Sequence, residues 1–128
     1  MQHETYGDLV QPSVRNISAV TLASMMERGT PLHLLDVREA FELTAFGAIP
    51  GVRNIPMREV AERLHEIPSE GGTTIVVICQ SGNRSSDVAR YLAAKGYGNI
   101  CNLDGGTSAW IQSGQRVTGG VQGGRKRG

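Results

Sequence analysis

The chain has 128 residues, of which 39% are hydrophobic, 20% charged and 5% aromatic, with 17 glycines and 2 cysteines. That length fits one domain with a real core, which excludes disorder throughout, and no apolar run approaches the roughly 20 residues of a membrane-spanning helix, so a soluble protein with no membrane partner is expected. The net charge of +1 hides an asymmetry: residues 1–113 hold 9 basic against 12 acidic side chains, residues 114–128 hold 4 basic and no acidic ones, and a mildly acidic body with a short basic tail is not a nucleic-acid-binding domain.

Residues 1–15 read as a polar leader; they contain Glu4 and Asp8 and no continuous apolar stretch, so neither a secretory signal nor a transit peptide is expected. Ser18 can cap a helix whose apolar positions Ala19, Leu22, Ala23 and Met26 follow helical spacing, with Gly29 as its stop. Leu32 to Val37 predicts a short strand, Glu39 to Phe46 a brief helix ended by Gly47, and residues 48–56 a loop with a short strand at 53–55. Arg58 to Ile67 predicts a second amphipathic helix, with Val60, Leu64 and Ile67 on one face. The run Thr73 to Cys79 is β-branched and apolar on both faces, the pattern of a central parallel strand covered on both sides. A helix from Ser85 or Ser86 to Lys95 follows, with Val88, Ala89, Leu92 and Ala93 as its buried stripe. Asn99 to Leu103 predicts another strand, and Thr107 to Gln112 a short helix after the Asp104-Gly105-Gly106 turn. Strands alternating with helices imply an α/β domain around a small parallel sheet over residues 16–113. Residues 114–128, rich in Gly and basic residues and without periodicity, predict a disordered tail.

In an open parallel sheet, ligands bind beyond the carboxyl ends of the strands. Cys79 ends the central strand, and Gln80-Ser81-Gly82-Asn83-Arg84 leads directly into a helix N-terminus. A helix start offers unpaired N–H groups and a positive dipole end; Gly82 lets successive amides turn inward, and Arg84 adds a permanent cation. A cysteine in that field ionises below its free pKa of about 8.5 and becomes a nucleophile at neutral pH. The competing reading is a small hydrophobe closing a core strand, and for a lone cysteine that reading is the stronger. The glycine two residues before the arginine, and the serines Ser85 and Ser86 opening a helix, shift the balance toward function.

Four segments then carry a resemblance: Leu34-Leu35-Asp36-Val37-Arg38-Glu39, Gly47 to Pro56, Cys79 to Ser85, and Leu103 to Trp110. In this order and spacing they resemble the signature blocks of the rhodanese domain, across roughly residues 17–112. The resemblance implies a three-layer α/β fold, with a central parallel sheet of about four to five strands flanked by helices. It also implies a sulfurtransferase that stores a sulfane sulfur as a persulfide on Cys79, with Gln80, Ser81, Gly82, Asn83, Arg84 and Ser85 as the loop that holds it. The implied partners are a small-molecule donor, thiosulfate or a persulfide, and a thiol or cyanide acceptor; no cofactor is implied. The alternative is a sulfur-carrier or binding module that serves a protein partner with little small-molecule turnover. The phosphatases that share this fold place five residues between cysteine and arginine, whereas four intervene here, a ring suited to one sulfur atom rather than a phosphate.

Asp36 and Arg38 match the family's Asp-x-Arg and are candidates for framing the pocket, although a buried pair tying loops together is the plainer expectation. Arg53 is a weak candidate for attracting an anionic donor. Cys101 lies inside a strand, where packing is expected over a redox role. Two cysteines without ligand spacing, and the scattered His3, His33 and His65, call for no metal and no disulfide framework; a reducing, cytoplasmic setting follows as an expectation.

Overall fold

The computed structural model describes residues 13–120. The strands are β1 (Arg15–Ile17), β2 (Leu32–Asp36), β3 (Arg53–Asn54), β4 (Thr74–Ile78) and β5 (Ile100–Leu103). The α-helices are α1 (Ala19–Glu27), α2 (Ala40–Phe46), α3 (Asn83–Ala94) and α4 (Gly106–Gln112). All strand pairs are parallel, and the sheet order is β1-β5-β4-β2-β3. From β2 the chain moves outward to β3, and from β4 it moves the other way to β5. The switch point of the sheet therefore lies between the carboxyl ends of β2 and β4, the crevice that this topology offers to ligands.

β4 is buried along its whole length, as its unbroken apolar run requires. Alternate side chains feed two cores. On one face Leu35, Val37, Ile75 and Val77 pack with Val88, Ala89 and Leu92 of α3 and with Val60 and Ile67. On the other, Leu34, Val76, Ile78 and Leu103 pack with Leu22 of α1 and Trp110 of α4. Helices thus cover both faces, the three-layer arrangement expected. α1 starts as the sequence indicates, the Ser18 hydroxyl accepting from Thr21 N at 3.1 Å.

Three expectations require correction. The leader does not extend to residue 15: Arg15–Ile17 forms edge strand β1 against β5, and Val14 packs on the core. A three-residue edge strand with one partner carries no periodicity for sequence reading to detect. The segment 58–67 is not an α-helix but two 3₁₀ stretches, Met57–Glu59 and Ala61–Glu66, the second kinked within itself by the non-helical backbone of Arg63 (φ −118°, ψ 25°). Val60, Leu64 and Ile67 face the core as expected, because each is placed by burial rather than by helix type.

The third correction concerns the tail. Residues 114–120 do not leave the domain. Trp110 Nε1 donates to Arg116 O at 2.9 Å, Ala48 and Thr118 exchange two backbone hydrogen bonds of 2.8 Å, and Gly120 N donates to Thr44 O. Val117 packs on the α1/α4 core and lies against Gly47, where a Cβ would meet its Cγ2 at 3.2 Å. One half-buried valine among polar and glycine residues is too little apolar pattern to reveal this strap in the sequence. The rest of the expected leader and tail lies outside the described residues. If the strap is part of the fold, Val117→Asp lowers stability by about 1–2 kcal/mol in urea unfolding, and an unchanged midpoint would show that it is not.

Candidate active site

Cys79 follows β4 at the switch point and is 1% exposed. Its Sγ accepts hydrogen bonds from Gly82 N at 3.1 Å and Ser85 N at 3.3 Å, and the Ser81 amide also points at it. Gly82 is the N-cap of α3 and offers no side chain to the first-turn amides, so the sulfur fills the capping position that a serine or aspartate oxygen would take elsewhere. The turn requires Gly82: its φ is +103°, and a Cβ there would meet Gly105 N at 3.2 Å.

The amides are aimed from behind by α4. Thr107 N and Thr107 Oγ1 donate to Cys79 O at 2.9 and 3.2 Å, and Ser108 N donates to Gln80 O at 3.0 Å. A trans peptide points its C=O and N–H in opposite directions. Binding the Gln80 carbonyl on one side therefore turns the Ser81 N–H toward the sulfur on the other. This contact demands Gly106, whose added Cβ would lie 2.5 Å from Cys79 O and 2.7 Å from Gln80 O. The Asp104-Gly105-Gly106 segment makes the expected tight turn and also lets two backbones touch.

Burial pushes the Cys79 thiol up, but hydrogen bonds from the Ser85 hydroxyl and from the amides of Ser85, Gly82 and Ser81 outweigh it, and the net shift is downward. The Ser85 hydroxyl lies 2.6 Å from Asn102 Oδ1 as well as beside the sulfur. With one proton it serves one acceptor at a time, and a thiolate is the stronger claimant. Asn102 is buried and also donates to Asn16 Oδ1 at 3.0 Å.

Asp36 and Arg38 do not frame an open mouth; both are 0% exposed. Arg38 Nε and Nη2 grip the Asp36 carboxylate at 3.0 and 2.9 Å, Nη2 also donates to Gly47 O at 2.9 Å, and Nη1 donates to Gln80 Oε1 at 2.8 Å. Gln80 passes the restraint on, its Nε2 donating to Ser108 Oγ at 3.0 Å. The pair is thus the internal tie that was the plainer expectation, with the Cys79 loop as the object tied.

Arg84 is not a free cation. Its Nη1 and Nη2 donate to the two carboxylate oxygens of Glu42 at 2.8 and 2.9 Å. The hydrogen bonds from Arg84 hold the Glu42 carboxyl down to about 2, and Arg84 itself is raised. Glu42 was not legible as a site residue: as the third residue of α2 it reads as half of a capping box with Glu39, which it also is. Asn102 and Ser108 likewise carry no signal apart from the fold that brings them to the loop. Ser81 and Asn83 expose their side chains, and Arg53 sits on edge strand β3, exposed.

Cys101 faces the other core from Cys79, on the opposite side of the sheet, and burial pushes its thiol up; it is packing. Among the described residues no three His, Cys, Asp or Glu side chains gather as a metal site, and no helix is long and apolar enough to cross a membrane. A cleft of about 540 Å³ lined by Val20, Met26, Pro50, Trp110 and Arg116 shares no residue with the Cys79 loop.

Fold and loop together define a class: parallel α/β domains that present a cysteine sulfur from a cradle of backbone amides. The family model described as Rhodanese-like domain matches residues 18–113, and the chain belongs to the rhodanese-like family. It is 35% identical over 101 residues to a sulfurtransferase of Allochromatium vinosum, covering 79% of this chain and 92% of that one. It is 31% identical over 77 residues to the thiosulfate sulfurtransferase GlpE of Pseudomonas putida, covering 60% and 67% of the two chains. The crystal structure of a rhodanese-related protein from Thermoplasma volcanium superposes with a TM-score of 0.70 at 36% identity, covering 81% of this chain and 97% of that one. These relatives support sulfur transfer as the general class of chemistry.

The buried tie has a measurable consequence. Arg38→Met leaves the Asp36 carboxylate uncompensated in the interior and costs about 3–5 kcal/mol in urea unfolding, whereas Asp36→Leu combined with Arg38→Met recovers part of that loss. A single variant within about 1 kcal/mol of wild type would show that the pair is not a structural tie.

Proposed function

We propose that the protein moves a sulfane sulfur from a donor to a thiol or cyanide acceptor through a persulfide on Cys79. The observation that carries this reading is the convergence of the Ser81, Gly82 and Ser85 amides on Sγ, with the thiol shifted toward its ionised form. In the first half-reaction the Cys79 thiolate attacks the outer sulfur of the donor. The donor's S–S bond breaks, its inner group leaves with the bonding electrons as sulfite or a thiolate, and Cys79 becomes a persulfide. In the second half-reaction the acceptor attacks the outer sulfur, the new S–S bond breaks, and the Cys79 thiolate is returned. The exchange consumes no net oxidant or reductant. Amide donors fixed before reaction stabilise negative charge on sulfur without reorganising and so favour the thiolate that attacks.

In this reading Gln80, Ser81, Gly82, Asn83, Arg84 and Ser85 form the persulfide-holding loop, and Asp36 and Arg38 act on it only through Gln80. A protein thiol is the acceptor favoured by the surface of α2: Phe41 and Phe46, on the helix that carries Glu42, are 68% and 48% exposed. Intact mass after incubation with a sulfur donor tests the reading. The expected result is a gain of one sulfur atom in the wild type and none in Cys79→Ser. No gain from thiosulfate, a thiosulfonate or a persulfide, or an equal gain in Cys79→Ser, would overturn it.

A further inference from the structure

Arg84 is the guanidinium that the loop itself brings to the mouth of the site, and it reaches that mouth already paired. Both of its outer nitrogens are committed to Glu42, whose Oε2 is in turn held by the Glu39 amide at 3.0 Å. The Glu42 side chain is 12% exposed, so the carboxylate is lodged in place rather than swinging on the surface. The neighbouring arginines add no surplus charge. Arg38 is buried on Asp36, and Arg58, further out, is bonded to Glu39 and Glu59. What remains positive around Sγ is the set of amide dipoles, which suits one negative charge on sulfur.

We infer that Glu42 is a specificity-determining residue: by balancing Arg84 it biases Cys79 toward sulfur donors carrying at most one negative charge, persulfides and thiosulfonates, over the dianion thiosulfate. The inference rests on the sulfur-transfer reading and narrows its donor. Thiosulfate brings two negative charges to a mouth whose arginines are all paired with carboxylates and must release sulfite, also a dianion, beside the Glu42 carboxylate. Methanethiosulfonate is close to it in shape and reacts by the same step with one charge fewer. In both cases the Cys79 thiolate bonds to the outer sulfur and the S–S bond breaks. The bonding electrons leave with sulfite in one case and with methanesulfinate in the other, and the total charge is conserved.

Glu42→Gln isolates the charge. Its amide oxygen can still accept from the Glu39 amide and from Arg84, and glutamine is as good a helix former as glutamate. The experiment is the second-order rate of Cys79 persulfide formation, read by intact mass, with thiosulfate and with methanethiosulfonate at low and high salt. In Glu42→Gln the thiosulfate rate rises roughly five- to tenfold at low salt while the methanethiosulfonate rate changes by roughly threefold or less, and added salt removes the difference. Arg84→Met, which leaves Glu42 unbalanced, moves the ratio the other way. Glu42→Gln and Arg84→Met with wild-type donor ratios, or a thiosulfate rate that falls in Glu42→Gln, would overturn the inference while leaving the persulfide reading intact. Failure of wild type to take sulfur from either donor would count against sulfur transfer itself.

Discussion

Two carbonyl groups set the geometry of the Cys79 loop. Cys79 O and Gln80 O are bound by the first amides of α4, and because a peptide group is rigid, fixing its oxygen fixes the opposite direction of its N–H. The contact is possible only because Gly106 has no Cβ to place 2.5 Å from Cys79 O. From that constraint the rest of the site follows. The Ser81 amide turns to the sulfur, Gly82 adopts a left-handed backbone, and α3 begins with a sulfur where its cap would be. Burial alone would push the Cys79 thiol up; the Ser85 hydroxyl and the Ser85, Gly82 and Ser81 amides outweigh it and bring the thiol down.

The switch point explains why the supporting contacts come from where they do. The segment after β2 lies beside the segment after β4, so Arg38 reaches Gln80 and Glu42 reaches Arg84, each pair 42 residues apart in the chain. Arg38, fully buried on Asp36, holds the loop through a part-buried hydrogen bond to Gln80, whereas the Glu42–Arg84 pair is partly exposed. The strap of residues 115–120 closes on the Gly47–Ala48 backbone, and Gly47 O is itself an acceptor for Arg38. Loop, buried ion pair and strap are therefore mechanically connected, which is how a loop with two exposed side chains can hold three amides on one atom.

Much of this was legible in the amino-acid order. The apolar run ending at Cys79 suited a doubly covered strand, Ser18 announced α1, and the Cys79 to Ser85 segment held the cysteine, the turn glycine and a helix start together. What was not legible depends on contacts between distant segments. Arg84 reads as a free cation because nothing local to it shows Glu42. Asp36 and Arg38 read more plainly as an interior pair than as pocket residues, but nothing in their order shows that Gln80 is what they hold. Arg15–Ile17 and the strap are short and polar, and they are ordered by the partners they meet rather than by their own pattern. The 58–67 segment shows the correct buried residues on the wrong helix type, because burial selects side chains while the backbone break at Arg63 is a local compromise with packing.

The Ser85 hydroxyl and the Ser85, Gly82 and Ser81 amides, acting against burial, draw the Cys79 thiol below its ordinary range. The most direct measurement is an ultraviolet thiolate titration of the Cys101→Ala protein, in which Cys79 is the only thiol. The expected midpoint lies below that of an ordinary cysteine thiol, with the thiolate lost as pH falls through that lowered value. A midpoint at or above the ordinary value would mean that burial prevails over the Ser85 hydroxyl and the amides together.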